Sequence, residues 1–173
     1  FTYTPSGQTS ITVPFNNIMT TLMTDMSSLF ASASNFTADI ISWDTSNVTD
    51  MLAMFARNQV FNNNGQSLNG WNTGNVTNME AMFNGANAFN QDISLWNTSN
   101  VTKMNNMFNN AWAFNQNIGN WNVSNVTQMG EMFADAKAFN QNIGNWNVSK
   151  VTNMEAMFRG ATVFNRDLSN WNV

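Results

Sequence analysis

Residues 96–120 read WNTSNVTKMNNMFNNAWAFNQNIGN, and residues 121–145 read WNVSNVTQMGEMFADAKAFNQNIGN. The second stretch repeats the first with most of its Trp, Met, Phe and Ile in place. Trp recurs at 43, 71, 96, 121, 146 and 171, in steps of 28, 25, 25, 25 and 25. A fixed period of this length marks a stack of copied units rather than one irregular core.

Each position of the unit forms a column down the chain. Met51, Met79, Met104, Met129 and Met154 are equivalent, as are the pairs Met54-Phe55, Met82-Phe83, Met107-Phe108, Met132-Phe133 and Met157-Phe158. A second Phe follows at 61, 89, 114, 139 and 164, and an Ile or Leu stands three residues before each Trp. The segment MTDMSSLFASASNFTADIISW, residues 23–43, is a worn first copy, as a capping repeat tends to be. The chain therefore holds about six coils. The longer first step comes from a polar, Gly-containing insert over Asn62–Ser67, which reads as a surface loop.

Met104, Met107, Phe108, Ala111 and Phe114 are spaced i, i+3, i+4, i+7, i+10, the pattern of one helix face. The spacing predicts a short helix in every coil, with Thr102 and its equivalents as N-caps. Thr77/Glu80 and Thr152/Glu155 have capping-box spacing. The stretch FNQDISLWN, residues 89–97, lacks that period and reads as a short strand with a bend. Stacked parallel strands about 4.8 Å apart would form a narrow sheet. The expected fold is an α/β solenoid with a short helix and a short strand per coil, over residues 18–173. An Ala column (Ala33, Ala86, Ala111, Ala136, Ala161), broken by Asn58, marks the closest approach across the coil. Asn columns after Trp and after the second Phe read as fastenings at turns or between coils.

Residues 1–17 do not fit the repeat. FTYTPSGQTSITVPF carries apolar alternation at Phe1/Tyr3 and Ile11/Val13 around a Pro-Ser-Gly-Gln turn, which reads as a β cap or an assembly strand. The chain ends at Trp171–Val173 in mid-unit. Pairing of the N-terminal strands with the last coil of another copy would give a head-to-tail fibre. The assembly-end candidates are Phe1, Tyr3, Ile11, Val13, Trp171 and Val173.

Composition narrows the function. The 173 residues contain no His and no Cys, 9% are charged, and the net charge is −4. The commonest general base, the usual zinc ligands and disulfides are all missing. No basic footprint for nucleic acid appears, and no apolar run has the length of a membrane-spanning helix. The carboxylates are scattered singly over different coils, so the chain reads as non-enzymatic, with no cofactor. A column of Asp39, Asn64, Asp92, Asn117, Asn142 and Asp167 is too often neutral for calcium.

Two other features stand out. Asn47, Asn75, Asn100 and Asn125 lie in Asn-Val-Thr sequons and are the glycosylation candidates. Trp112 occupies a column that is otherwise Ser34, Gln59, Asn87, Lys137 and Thr162. A Trp in a polar, outward column is the residue type most enriched at interface hot spots, so Trp112 and Lys137 are the contact candidates.

The recurring Phe-Asn-Gln, Ile-x-x-Trp-Asn, Asn-Val-Thr-x-Met and Met-Phe motifs, in that order, closely resemble the repeat of the BspA-like leucine-rich-repeat surface proteins. The resemblance implies a leucine-rich-repeat-like solenoid that is extracellular or on a cell surface. It implies adhesion or binding, with no catalytic residue to carry over. The first functional expectation is a structural protein working through contacts with itself, head to tail, or with other surface proteins; the second is a surface adhesin or binding module for a host protein or glycan.

Overall fold

The computed structural model describes residues 19–173 in full and the backbone of two short segments before them. Strand β1 (Thr2–Tyr3) pairs antiparallel with β2 (Ile11–Thr12), placing Thr2 opposite Thr12 and Tyr3 opposite Ile11. That agrees with two short N-terminal strands. Phe1, Val13 and the turn between the strands lie outside the described residues.

The repeat coils, but it is not the expected α/β solenoid. Among the described residues the only helix is one 3-10 turn, Asn63–Gly65, and no strand follows β2. Neighbouring coils meet through single parallel bridges, Asp25 to Asp50, Asp50 to Asn78, Asn78 to Lys103, Lys103 to Gln128, and Gln128 to Asn153. The leucine-rich-repeat-like reading, with a helix and a strand per coil, is overturned.

The hydrogen bonds explain why. In Met51–Asn58, the N–H groups of Met54, Ala56 and Asn58 donate to the carbonyls three residues back. The N–H groups of Met51, Ala53, Phe55 and Arg57 donate instead to Asn78, Glu80, Met82 and Asn84 of the next coil. A helix would spend every donor within its own segment. Here alternate donors join the coils. Left-handed backbone at Ala53 and Arg57, repeated at Ala81 and Gly85, Asn106 and Asn110, and Glu131 and Asp135, interrupts any helix every fourth residue. A run of such turns still returns to one side at i, i+3, i+4 and i+7, so Met51, Met54, Phe55 and Asn58 are buried as a helix face would be.

Among the described residues no Thr caps a helix. The Thr77 N–H and Oγ1 both donate to the Thr49 carbonyl, and Thr102, Thr127 and Thr152 repeat this from coil to coil. The Glu80 and Glu155 N–H groups go to the side chains of Asn78 and Asn153, not to a capping box.

The core is a set of continuous ladders. Phe55 stacks on Phe61 within a coil at 3.9 Å between ring centroids and on Phe83 of the next coil at 5.5 Å. Trp71, Trp96 and Trp121 stack at 6.1 and 6.3 Å. Each indole N–H also donates backwards, Trp96 to the Leu68 carbonyl at 2.9 Å and Trp121 to that of Ile93 at 3.1 Å. Each large side chain so buried contributes about 1.5–3 kcal/mol, which a turn lacking regular secondary structure needs.

Two Asn columns divide the polar work. Asn72, Asn97, Asn122 and Asn147 accept from the N–H two residues on and hold a turn. Asn90, Asn115 and Asn140 accept from the N–H of the equivalent Asn in the next coil. In the column once weighed for calcium, Asp39, Asp92, Asn117, Asn142 and Asp167 close the same two-residue turn. Asn64 does not belong to it: Ser67 Oγ accepts from Asn69 there. The insert is exposed at Asn64–Gln66, yet Asn63 beside it is fully buried and accepts the Ile40 N–H at 2.9 Å.

Candidate recognition cleft

Two outward columns flank the end of each run of turns. One is Arg57, Gly85, Asn110 and Asp135; the other is Gln59, Asn87, Trp112 and Lys137. The second is held in register by backbone bonds, Ala88 to Gln59, Ala113 to Asn87 and Ala138 to Trp112, at 3.1–3.2 Å. Where Gly85 leaves the first column without a side chain, a cleft of about 280 Å³ opens, bordered by Arg57, Gln59, Asn84, Asn87, Asn110 and Trp112. Gly85 has φ +69°, a backbone conformation that favours glycine, while an added Cβ would meet the Arg57 Cα at an ordinary 3.5 Å.

Trp112 is 48% exposed, whereas Trp43, Trp71, Trp96, Trp121 and Trp146 are buried in the core. The Lys137 ammonium stands 4.8 Å from its ring centroid, an arrangement of cation over aromatic face. The structure thus brings together the two contact candidates. Lys137 comes from the coil after Trp112, and Arg57, Gln59 and Asn87 from the coils before it. Lys137 itself does not border the cleft. Asn87 is fixed by its amide donating to the Asn110 carbonyl at 2.8 Å. Sequence reasoning missed Arg57 and Gly85. The available signal was a Gly in a column that carries side chains in the two coils on either side.

A second groove, of about 210 Å³, lies over Glu80, Asn105, Asn106, Gly130, Glu131 and Glu155, again at a glycine. Arg159 reaches Glu131 there at 2.8 Å. No group of acidic side chains able to hold a metal ion occurs among the described residues.

The sequon residues lie in one outward row. The amides of Asn47, Asn75, Asn100 and Asn125 donate to the carbonyls of Thr21, Ser46, Gly74 and Ser99 in the preceding coil, at 2.7–2.8 Å. Of the assembly-end candidates, Tyr3 and Ile11 are opposite in backbone register in the β1–β2 pair. Trp171 is half-buried, stacked on Trp146 at 6.4 Å, and Val173 is exposed.

Four carboxyls, Asp25, Asp44, Asp92 and Asp167, are held below the usual value. For Asp44 the main cause is the Ser46 hydroxyl, and for Asp92 it is the Ser94 backbone N–H. All four close turns, and none borders the cleft.

The family described as Mycoplasma protein of unknown function, DUF285, matches at residues 5–111 and 91–173. The chain belongs to the DUF285 family. Neither the curated proteins nor the solved structures gave a match. The two family matches overlap on residues 91–111. Among the described residues no helix is long and apolar enough to cross a membrane.

Proposed function

We propose that this DUF285 chain is a non-enzymatic contact protein, extracellular or on a cell surface, of the kind implied by the resemblance of its repeat to BspA-like surface proteins. Its stacked coils act as a rigid support, and recognition falls to side chains that depart from the repeat. The observation that carries this reading is Trp112. It is a large apolar ring held half in solvent, braced by Lys137 and set at the rim of a polar cleft. Such a ring is the side chain most often found as an interaction anchor. The absence of His and Cys from the sequence removes the commonest catalytic arrangements and fits a role through contacts.

The test is surface plasmon resonance of the chain and of Trp112→Ala against a panel of purified extracellular glycoproteins. Saturable binding that the substitution removes supports recognition. Binding to some members that Trp112→Ala leaves unchanged moves the contact elsewhere. Mass that grows with concentration in light scattering, with no binding to the panel, would replace recognition by self-assembly.

A further inference from the structure

We propose that the Trp112 cleft binds an oligosaccharide bearing a carboxylate, such as a uronic or sialic acid residue; this rests on the recognition reading above. The chemistry of the rim points to a sugar. A pyranose ring presents a face of C–H bonds that stacks on an aromatic face, and its hydroxyls both donate and accept. Trp112 offers such a face, and Gln59, Asn87 and Asn110 carry amides that donate and accept at once.

Arg57 defines the acidic end. Its guanidinium fork fits a carboxylate with two parallel hydrogen bonds. No carboxylate borders the cleft to compete for it, although the chain as a whole is net −4. Arg57 and Trp112 stand two coils apart, roughly 10 Å at the usual strand-to-strand spacing. That places a carboxylate and a stacked ring within one short oligosaccharide.

The cleft is unsuited to a peptide strand. The carbonyls of Gln59, Asn87 and Trp112 already accept from the N–H groups of Ala88, Ala113 and Ala138 of the next coil, so this column offers no free row of acceptors for strand addition. Lys137 does not line the cleft. Standing over the ring from the next coil, it holds the indole in place before ligand arrives, which limits the ordering cost of binding.

The experiment is isothermal titration of the full chain with three probes: a hyaluronan tetrasaccharide, sialyllactose and neutral maltotetraose. Variants Trp112→Ala, Arg57→Gln and Lys137→Gln are compared, each checked for unchanged far-UV circular dichroism. At least one acidic probe is expected to bind more tightly than maltotetraose. Arg57→Gln is expected to weaken that probe by about tenfold, the loss of one charge-assisted pair, and to leave the neutral sugar unchanged. Trp112→Ala is expected to remove both. Lys137→Gln is expected to weaken binding less than either.

No binding of either acidic probe by the folded chain overturns the proposal, as does equal binding by Arg57→Gln. The two readings fail separately. If the sugars do not bind but Trp112→Ala still abolishes capture of a deglycosylated protein from the panel, the carbohydrate assignment falls and recognition stands. If Trp112→Ala changes nothing in either assay, recognition at this cleft falls with it.

Discussion

Asn58 should be a burden on the fold, and replacing it with Ala should stabilise the protein. It stands in the column of Ala33, Ala86, Ala111, Ala136 and Ala161 and is completely buried. Its Oδ1 is the one buried side-chain polar atom without a partner among the described residues. Its Nδ2 reaches only the Phe36 carbonyl, at a long 3.3 Å. An orphaned buried acceptor costs about 2 kcal/mol, and a hydrogen bond of that length returns about 0.5 kcal/mol. Removing the carboxamide leaves a void worth about 0.5 kcal/mol, since the surroundings close only in part. Phe36 is half-buried, so its carbonyl can turn to water. The balance is about 1 kcal/mol in favour of Asn58→Ala. Urea unfolding at fixed temperature should show a higher midpoint with an unchanged slope, which separates a stability change from a change in the unfolded chain. The reciprocal change, Ala111→Asn, forces an amide into a filled column and should cost about 2–4 kcal/mol. A drop in stability of Asn58→Ala by 1 kcal/mol or more would refute the reasoning. It would mean that the Asn58 amide is a needed link between coils.

Other outcomes follow from the same contacts. Trp121→Phe keeps a ring in the ladder but orphans the Ile93 carbonyl, and should cost about 1–3 kcal/mol by urea melt; Trp171→Phe should cost less, because Trp171 is half-buried. Asn63→Ala should cost about 2 kcal/mol, because the Ile40 N–H loses its partner in a buried site. Asp44 and Asp92 have folded pKa values below the unfolded 3.8, so their contribution is complete above that value and disappears as pH falls through the folded one. Asp44→Asn with Asp92→Asn should therefore flatten the dependence of the urea midpoint on pH between about pH 5 and pH 2. Asn holds the equivalent turns in other coils, and an unchanged acid slope would count against this account.

The columns were legible because burial is set by side-chain type at a fixed period. Every Met, Phe, Ile and Trp column of the interior coils lies in the core. What fills the space between columns was not legible. A helix and a run of four-residue turns bury the same positions, and the difference lies in where backbone N–H groups go. One local signal existed. Asn106, Asn110, Asp135, Gly85 and Gly160 occupy left-handed positions, and Asn, Asp and Gly are the residues that tolerate them. The signal was diluted by Ala53, Ala81 and Glu131 at equivalent sites, where coil-to-coil bonding outweighs local preference. Trp112 was legible as a misfit in its column. The cleft beneath it was not, because it depends on Gly85 and Arg57 meeting across two coils.

That dependence says how a copied unit can acquire a specific surface. The core columns are coupled: each Phe and Trp ring packs on its equivalents above and below, so a change in one coil is felt in its neighbours. The columns of Gln59, Asn87, Trp112, Lys137 and Thr162, and of Arg57, Gly85, Asn110 and Asp135, project outward and are joined through backbone bonds. Backbone bonds are indifferent to side chain. The Gln59 column can therefore vary coil by coil at little cost to the stack, from Asn to Trp, while the left-handed column of Arg57, Gly85, Asn110 and Asp135 keeps, Arg57 apart, to Gly, Asn and Asp. The same register places each variant side chain about 4.8 Å from the next. A glycine in one column then opens a cleft between neighbours that are already fixed, and an aromatic in the other gives it a wall. Two substitutions in adjacent coils suffice to turn a uniform polar flank into a site, with no change to the core that holds it.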